Sequence, residues 1–78
     1  MQQLTPKQLH KIIGSNVAKH RQAKGLSQLD LSLEMGYKSV SVVSGAEIYY
    51  NCTHFNIEHL LKISQILEVE ICEFFKPL

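Results

Sequence analysis

Residues 25–47, with the sequence GLSQLDLSLEMGYKSVSVVSGAE, decide the fold of this chain. The stretch is typical of two short amphipathic helices separated by a glycine turn, which is a helix-turn-helix. Ser27 can cap the start of the first helix, Gly36 can end it, and Ser39 can cap the second. Val43 and Ala46 of the second helix are expected to point inward. The apolar face of the first helix is expected to contain Leu29, Leu31, Leu33 and Met35.

The sequence before this stretch predicts one long helix. Thr5-Pro6 can cap and begin a helix that runs from about Pro6 to Lys24, ahead of a left-handed cap at Gly25. Gly14 weakens a helix by about 1 kcal/mol relative to alanine, so the pattern also allows a break there.

The sequence after the stretch predicts two further helices. Asn56 can cap a helix whose apolar face holds Ile57, Leu60, Leu61, Ile63, Ile66 and Leu67. A short helix from about Ile71 to Phe75 would place Phe74 in the core. We therefore expect an all-α fold, a compact five-helix bundle without a sheet, as a single domain over residues 1–78.

Size and composition limit the function classes. A chain of 78 residues builds one modest core and often gains stability from a second subunit, so a homodimer is expected. No apolar run approaches the length of a membrane span, and the N-terminus lacks the apolar core of a signal peptide, so we expect a cytoplasmic protein without membrane contact. Cys52 and Cys72 are too far apart for a C-x-x-C pair and are expected to be reduced thiols.

The charge is divided unevenly along the chain. The net charge of the whole chain is only +1, but residues 1–38 hold six Lys and Arg against two Asp and Glu, a net charge of +4. Residues 39–78 hold two Lys against five Glu, a net charge of −3. A basic N-terminal half suits a protein that presents this half to phosphates, although a randomly solvated surface gives the same count.

The order of residues resembles the Cro/repressor-like (XRE) helix-turn-helix family, over about residues 12–75. The family pattern runs roughly R-x-x-x-G-L-S-Q-x-x-L-A-x-x-x-G, then a helix ending S-x-x-E, then L-x-K-I-A-x-x-L-x-V-x-x-x-x-F. The matching residues are Arg21, Gly25, Leu26, Ser27, Gln28, Leu31, Gly36, Ser44, Glu47, Leu60, Lys62, Ile63, Leu67, Val69 and Phe74. The resemblance implies a lambda-repressor-like domain that binds double-stranded DNA as a homodimer and regulates transcription, as a repressor, without a cofactor.

The resemblance also implies roles for individual residues. In this fold the second helix crosses the DNA backbone and the third lies in the major groove. Gln28 would then contact a phosphate, and Arg21 and Glu47 would form a structural salt bridge. The DNA-facing candidates around the third helix are Lys38, Ser39, Val40, Ser41, Ser44 and Gly45. Lys38 and Ser39 suit phosphate or sugar, whereas Val40 and Ser41 occupy the positions that read bases.

Two departures from the family pattern fall on this surface. The third helix offers no arginine, glutamine or asparagine for a bidentate base contact, so direct readout should be weak. The loop after it, IYYNCTHF, has no permanent cation where the family tends to have lysine or arginine. Tyr49 and Tyr50 can bond to phosphate through their hydroxyls, form a contact patch for another protein, or pack over the core.

These two departures leave a second function class open. It is a protein-interaction module that keeps the helix-turn-helix scaffold but binds DNA weakly or not at all. For a homodimer, the expected contacts are Ile66, Val69, Ile71, Phe75 and Leu78, which exceed what one small core needs.

Other chemistry has weak support. Cys52, His54 and His59 could ligate a metal, but a structural zinc site wants four ligands in recognisable pairs, so no metal is expected. No nucleophile, base and orienting group occur together, so we do not expect an enzyme. His20 occupies a position where the family usually has leucine, which suggests a partly buried histidine.

Overall fold

The computed structural model describes residues 3–78, which form four α-helices and two short 3-10 segments, with no strand among them. The helices are α1 (Pro6–Ala23), α2 (Gln28–Glu34), α3 (Ser41–Ile48) and α4 (Ile57–Leu67), and the 3-10 segments are Tyr50–Cys52 and Ile71–Phe75. The all-helical prediction is confirmed, but five α-helices are not. The segment predicted as the fifth helix has the expected bounds and is a 3-10 turn.

Capping boxes explain where three of the four helices begin. The side chains of Thr5, Ser27 and Asn56 each accept a hydrogen bond from the third backbone amide of their helix, and that third residue bonds back to the cap. α3 differs, because its N-cap is Val40 and no described side chain bonds to its first amides. The prediction that Ser39 caps this helix is wrong. The helix begins at Ser41, which places Ser39 one residue too early, and its hydroxyl lies 3.0 Å from that of Ser41.

The core lies where α1 crosses the other elements. Its buried hydrophobic residues are Ile13, Val17, Leu31, Met35, Val43, Ala46, Phe55, Leu60, Ile63, Leu67 and Phe74. The predicted inward positions Val43 and Ala46 are fully buried. α1 continues unbroken through Gly14, so the break allowed there does not occur. A Cβ on Gly14 would lie 2.6 Å from the backbone oxygens of Ala46 and Glu47, so glycine lets α1 and α3 approach backbone to backbone.

The apolar faces predicted for α2 and α4 are wider than those observed. Leu29 and Leu33 of α2 are 46% and 54% exposed, and Ile57 and Leu61 of α4 are 69% and 52% exposed. α2 has only seven residues, and the stripe that meets the core is the i, i+4 pair of Leu31 and Met35 together with Ser32. The residues two positions away from Leu31 lie on the opposite side of so short a helix.

The C-terminal segment closes the core against α1. Phe74 is fully buried, and the buried amide of Asn16 donates from Nδ2 to the carbonyl oxygens of Phe74, at 3.0 Å, and Lys76, at 2.7 Å. Lys24 at the end of α1 forms an ion pair with Glu68 after α4. Within residues 3–78, no helix combines the length and the apolar character that crossing a membrane requires.

Candidate nucleic-acid interface

A tight glycine turn joins α2 to α3. Gly36 has φ of +95°, a left-handed conformation that glycine adopts without steric cost. Its amide donates to the carbonyl of Leu33 and the next amide, of Tyr37, donates to the carbonyl of Ser32, both at 3.0 Å. These bonds are the Schellman pattern that ends a helix, so the sequence signal at Gly36 has a direct structural counterpart.

A buried polar network fixes α3 against α1 and α2. Arg21 donates from Nε to Glu47 Oε2 at 2.7 Å and from Nη2 to Glu47 Oε1 at 3.2 Å, and both side chains are more than nine-tenths buried. Arg21 also donates to the carbonyl of Leu26 at 2.8 Å. The amide of Gln28 donates to Glu47 Oε1 at 2.8 Å. The structure therefore places Gln28, predicted as a phosphate contact, in a hydrogen bond with Glu47, and its second amide N–H is available to a ligand.

The first turn of α3 is open to solvent. Ser41 is exposed, Val40 is 37% exposed, and Lys38 and Ser39 in the preceding turn are also exposed. No side chain within residues 3–78 caps the helix, so the first backbone amides of α3 have no side-chain acceptor, and the first of them belongs to the exposed Ser41. Four of the predicted contact residues are thus brought together at one end of α3.

Two other predicted contact residues lie further along α3. Ser44 is half-buried, and its hydroxyl lies 3.4 Å from the carbonyl of Ser41. Gly45 faces the following loop, because a Cβ there would lie 3.3 Å from the methyl group of Thr53. The absence of a side chain at Gly45 therefore makes room for Thr53.

The loop after α3 has an unusual backbone. Tyr49, Asn51 and Cys52 have φ of +59°, +50° and +63°, although none is glycine. Left-handed conformations of non-glycine residues cost of order 1 to 3 kcal/mol each, least for asparagine, and such strain clusters at functional segments. Tyr50 projects from this loop and is 63% exposed, so its hydroxyl is accessible.

Three aromatic rings hold the loop against α1, and sequence reasoning missed this cluster. His10 of α1 stacks on His54 with ring centroids 3.9 Å apart, and on Tyr49 at 5.7 Å. Burial, and then the charge of His54, lower the pKa of His10. His10 Nδ1 is buried without a hydrogen-bond partner among the described residues. No spacing in the sequence signals this contact, because His10 and His54 lie far apart along the chain.

A second polar group lies where the α2–α3 turn meets α4. Tyr37 Oη and His59 Nε2 are 2.8 Å apart, and Lys62 donates to the carbonyl of Met35 at 3.2 Å. Burial is the main cause that lowers the pKa of His59. In the part of the chain that the structure describes, no three or more His, Cys, Asp or Glu side chains gather closely enough to hold a metal ion.

The predicted dimer residues belong to α4, the turn after it and the C-terminal segment. Ile66, Val69 and Ile71 are half-buried against the core, whereas Phe75 and Leu78 are 39% and 78% exposed. Leu61, predicted on the core face of α4, is instead exposed and lines an open groove together with Val69 and Ile71. Because Leu61 lies on the solvent side of α4, it adds an apolar side chain to the groove that Val69 and Ile71 line.

This architecture is similar to that of a solved structure, the restriction-modification controller protein C.AhdI from Aeromonas hydrophila. The two share a TM-score of 0.73 and 31% sequence identity, over 83% of this chain and 94% of the controller. The chain belongs to the same family as this controller protein. No family model matches the chain, and no curated protein matches its sequence.

Membership of the controller family agrees with the all-helical, helix-turn-helix architecture predicted from residues 25–47. The particular contacts assigned to α3 and the particular dimer residues stay predictions within this family.

Proposed function

We propose that this chain is a sequence-specific, DNA-binding transcriptional regulator that acts as a homodimer on a two-fold related operator and represses transcription. The observation that carries the proposal is the exposed, uncapped first turn of α3, held in place by the buried Arg21–Glu47–Gln28 network. The likeness to a restriction-modification controller favours a controller of this kind among transcriptional regulators. We infer that it works in the cytoplasm, where its operator would lie, and we assign it no catalytic activity.

The exposed end of α3 suits the major groove. Val40 can meet the methyl group of thymine, and the hydroxyls of Ser41 and Ser44 can bond to several bases without strong preference. A bidentate contact is worth about 1 to 3 kcal/mol of discrimination, and none of these side chains can make one. Selectivity would therefore come mainly from DNA shape and from the spacing of two half-sites.

Affinity would come from phosphate contacts around this end of α3. Lys38 supplies a cation, the free N–H groups of α3 can donate to phosphate oxygens, and the second amide N–H of Gln28 can make a third contact. The hydroxyls of Ser39 and Tyr50 can add neutral hydrogen bonds. The count of cations is low, so binding should depend on salt less steeply than for a protein with many basic contacts.

The homodimer would form through the surface of Leu61, Val69, Ile71, Phe75 and Leu78. Ile66 supports this surface from the edge of the core. Exposed apolar groups grouped on one end of a small domain are typical of a subunit interface. A two-fold axis through this end would give each dimer two copies of α3, as a two-fold related operator requires.

The direct test is binding to labelled duplex DNA from the protein's own promoter region, titrated at two salt concentrations against unrelated competitor DNA. Lys38→Gln should weaken binding at least several-fold and flatten the salt dependence, because each subunit of the dimer loses one phosphate contact. Lys76→Gln makes the same change of charge on the C-terminal segment and should leave binding unchanged. Equal effects of the two variants would mean that net charge, rather than the α3 surface, governs binding.

One observation favours the second candidate, a protein-interaction module. Ile48 and Tyr50, at the end of α3 and just after it, are 69% and 63% exposed and could form part of a protein-binding patch. A folded protein that shows no salt-sensitive retention on any duplex DNA would support this candidate and refute the regulator.

A further inference from the structure

The histidine pair that joins α1 to the loop after α3 has a defined proton arrangement. His54 Nδ1 lies 2.8 Å from the carbonyl oxygen of Cys52. A carbonyl can only accept, so Nδ1 carries the hydrogen, and Nε2 is the atom of the neutral ring that can take up a proton. His54 is exposed, so this Nε2 is accessible to a ligand.

The ring of His10 is not a favourable site for the added proton. His10 Nδ1 is buried and meets no acceptor within residues 3–78, so a proton placed there would leave an unsatisfied buried donor. The ring centroids are 3.9 Å apart, and two positive charges at this distance would repel strongly. The pair therefore has room for one added proton, and the Nε2 of the exposed His54 is the atom that the geometry leaves open to it.

The groups that face His54 do not neutralise it. From α1 the facing group is His10, and from the loop the facing groups are the phenol of Tyr49 and the backbone carbonyl of Cys52. From α4 the facing group is His59. The pKa of His59 is lowered first by burial and also by the charge of His54. Glu58 and Lys62 beside that ring act on it in opposite directions. No carboxylate of the described chain pairs with His54, so its positive charge is free to meet an anion.

In the proposed complex the loop after α3 lies next to the DNA backbone. α3 has eight residues and is therefore about 12 Å long, close to the width of the major groove. With α3 in the major groove, as the proposed function has it, the loop at its C-terminal end lies beside the phosphates. The same loop carries no lysine or arginine.

We propose that the His10–His54 pair is a proton-dependent phosphate-binding site, in which protonated His54 Nε2 donates to a backbone phosphate of the operator. His10 is the positioning residue, because its ring backs that of His54 and fixes the loop on α1. The inference rests on the proposed function and adds to it a DNA affinity that rises as the pH falls through the titration range of histidine.

The test compares DNA binding at about pH 6 and about pH 8, on either side of the ordinary histidine range. Each additional neutralised phosphate steepens the salt slope by about 0.9 and strengthens binding about fivefold at about 0.15 M salt, so a homodimer with two copies of His54 should gain about 1.8 in slope and roughly 30-fold in affinity. We expect this gain for the wild-type protein on acidification. His54→Gln should lose the gain and bind at both pH values as the wild type does at the higher one. His54→Lys should bind tightly at both, because its charge is permanent.

Two controls distinguish proton uptake at His54 from proton uptake elsewhere in the protein. His20→Gln removes a histidine that lies beside Phe74 and Glu73, away from the loop, and should keep the wild-type response to pH. In the wild-type protein at about pH 6, NMR of the histidine rings should show that DNA moves the signals of His54 and leaves those of His20 unchanged. This measurement needs no variant to fold.

The outcomes are distinct. The same pH response in His54→Gln as in the wild type, or NMR signals of the His54 ring that DNA leaves unchanged, overturns the proton-dependent site and leaves the regulator intact. Absence of wild-type binding to any duplex at either pH overturns both the regulator and this site. Loss of the pH response in His54→Gln together with permanent tight binding by His54→Lys supports the site.

Discussion

Replacing Gly14 with alanine should destabilise the protein, although alanine is the better helix former. The new Cβ would lie 2.6 Å from the backbone oxygens of Ala46 and Glu47, and 2.9 Å from the carbonyl carbon of Glu47. Ordinary van der Waals contact begins near 3.4 Å, so α1 and α3 would have to separate by about 0.8 Å. Neither obstacle is a flexible side chain that could rotate away.

The expected magnitude follows from two opposing effects. Alanine gains about 1 kcal/mol of helix propensity over glycine at an interior position. Overpacking a tight contact costs typically 1 to 3 kcal/mol and occasionally more, and here the clash involves the backbones of two helices. Separation of α3 would also stretch the Arg21–Glu47 pair. We expect a net loss of about 1 to 2 kcal/mol, or roughly 5 to 15 °C in Tm for a domain of this size.

The assay is urea and thermal unfolding followed by circular dichroism, with Ser15→Ala as the matched control on the adjacent, half-buried position of α1. The control adds no group at the helix crossing and should change the free energy of unfolding by less than about 0.5 kcal/mol. A Gly14→Ala protein as stable as the wild type, or more stable, would refute the close approach of α1 and α3.

Three further predictions concern buried polar groups. Glu47→Gln should cost about 3 to 5 kcal/mol, because it leaves the buried charge of Arg21 unpaired, and urea unfolding against the exposed control Glu34→Gln would measure it. A loss no larger than that of the control would contradict a buried pair. Asn16→Ala should lower the free energy of unfolding by about 1 to 3 kcal/mol, because two carbonyls of the C-terminal segment lose their donor; an unchanged Tm would show that this segment is held by other contacts. Stability should also fall on acidification below the ordinary histidine value of 6.5, because the lowered pKa values of His10 and His59 mean that the unfolded chain binds these protons first. Urea midpoints measured from about pH 7.5 to about pH 5.5 check this, and His10→Gln should reduce the decline; a midpoint that rises on acidification would contradict the direction of both shifts.

The elements that sequence predicted well are those with local causes. Thr5, Ser27 and Asn56 begin helices because a single side chain bonds to an amide three residues away. Gly36 ends α2 because its left-handed φ suits glycine. Such signals involve neighbours along the chain, so the sequence alone contains them.

The features that sequence missed depend on distant contacts. Helix propensity marks Gly14 as a weak point, whereas the structure uses it as the contact point of α1 and α3. Hydrophobic spacing does not tell which side of α4 meets the core, so the prediction that Leu61 faces inward is wrong. The left-handed backbone at Tyr49 and the stack of His10 on His54 leave no local pattern. The sequence therefore locates the candidate site on α3. It does not predict the stack of His10 on His54 at the edge of this site.

The uncapped start of α3 has a consequence for how specificity can change. Of the side chains that would read DNA, those of Val40 and Ser41 are exposed, and the helix is anchored instead by Val43, Ala46 and Glu47 on its other side. Substitutions at exposed positions of this kind usually alter stability by less than about 0.5 kcal/mol. The reading surface can thus be exchanged while the fold stays the same, so related chains can diverge in target sequence through a few mutations and without compensating changes in the core.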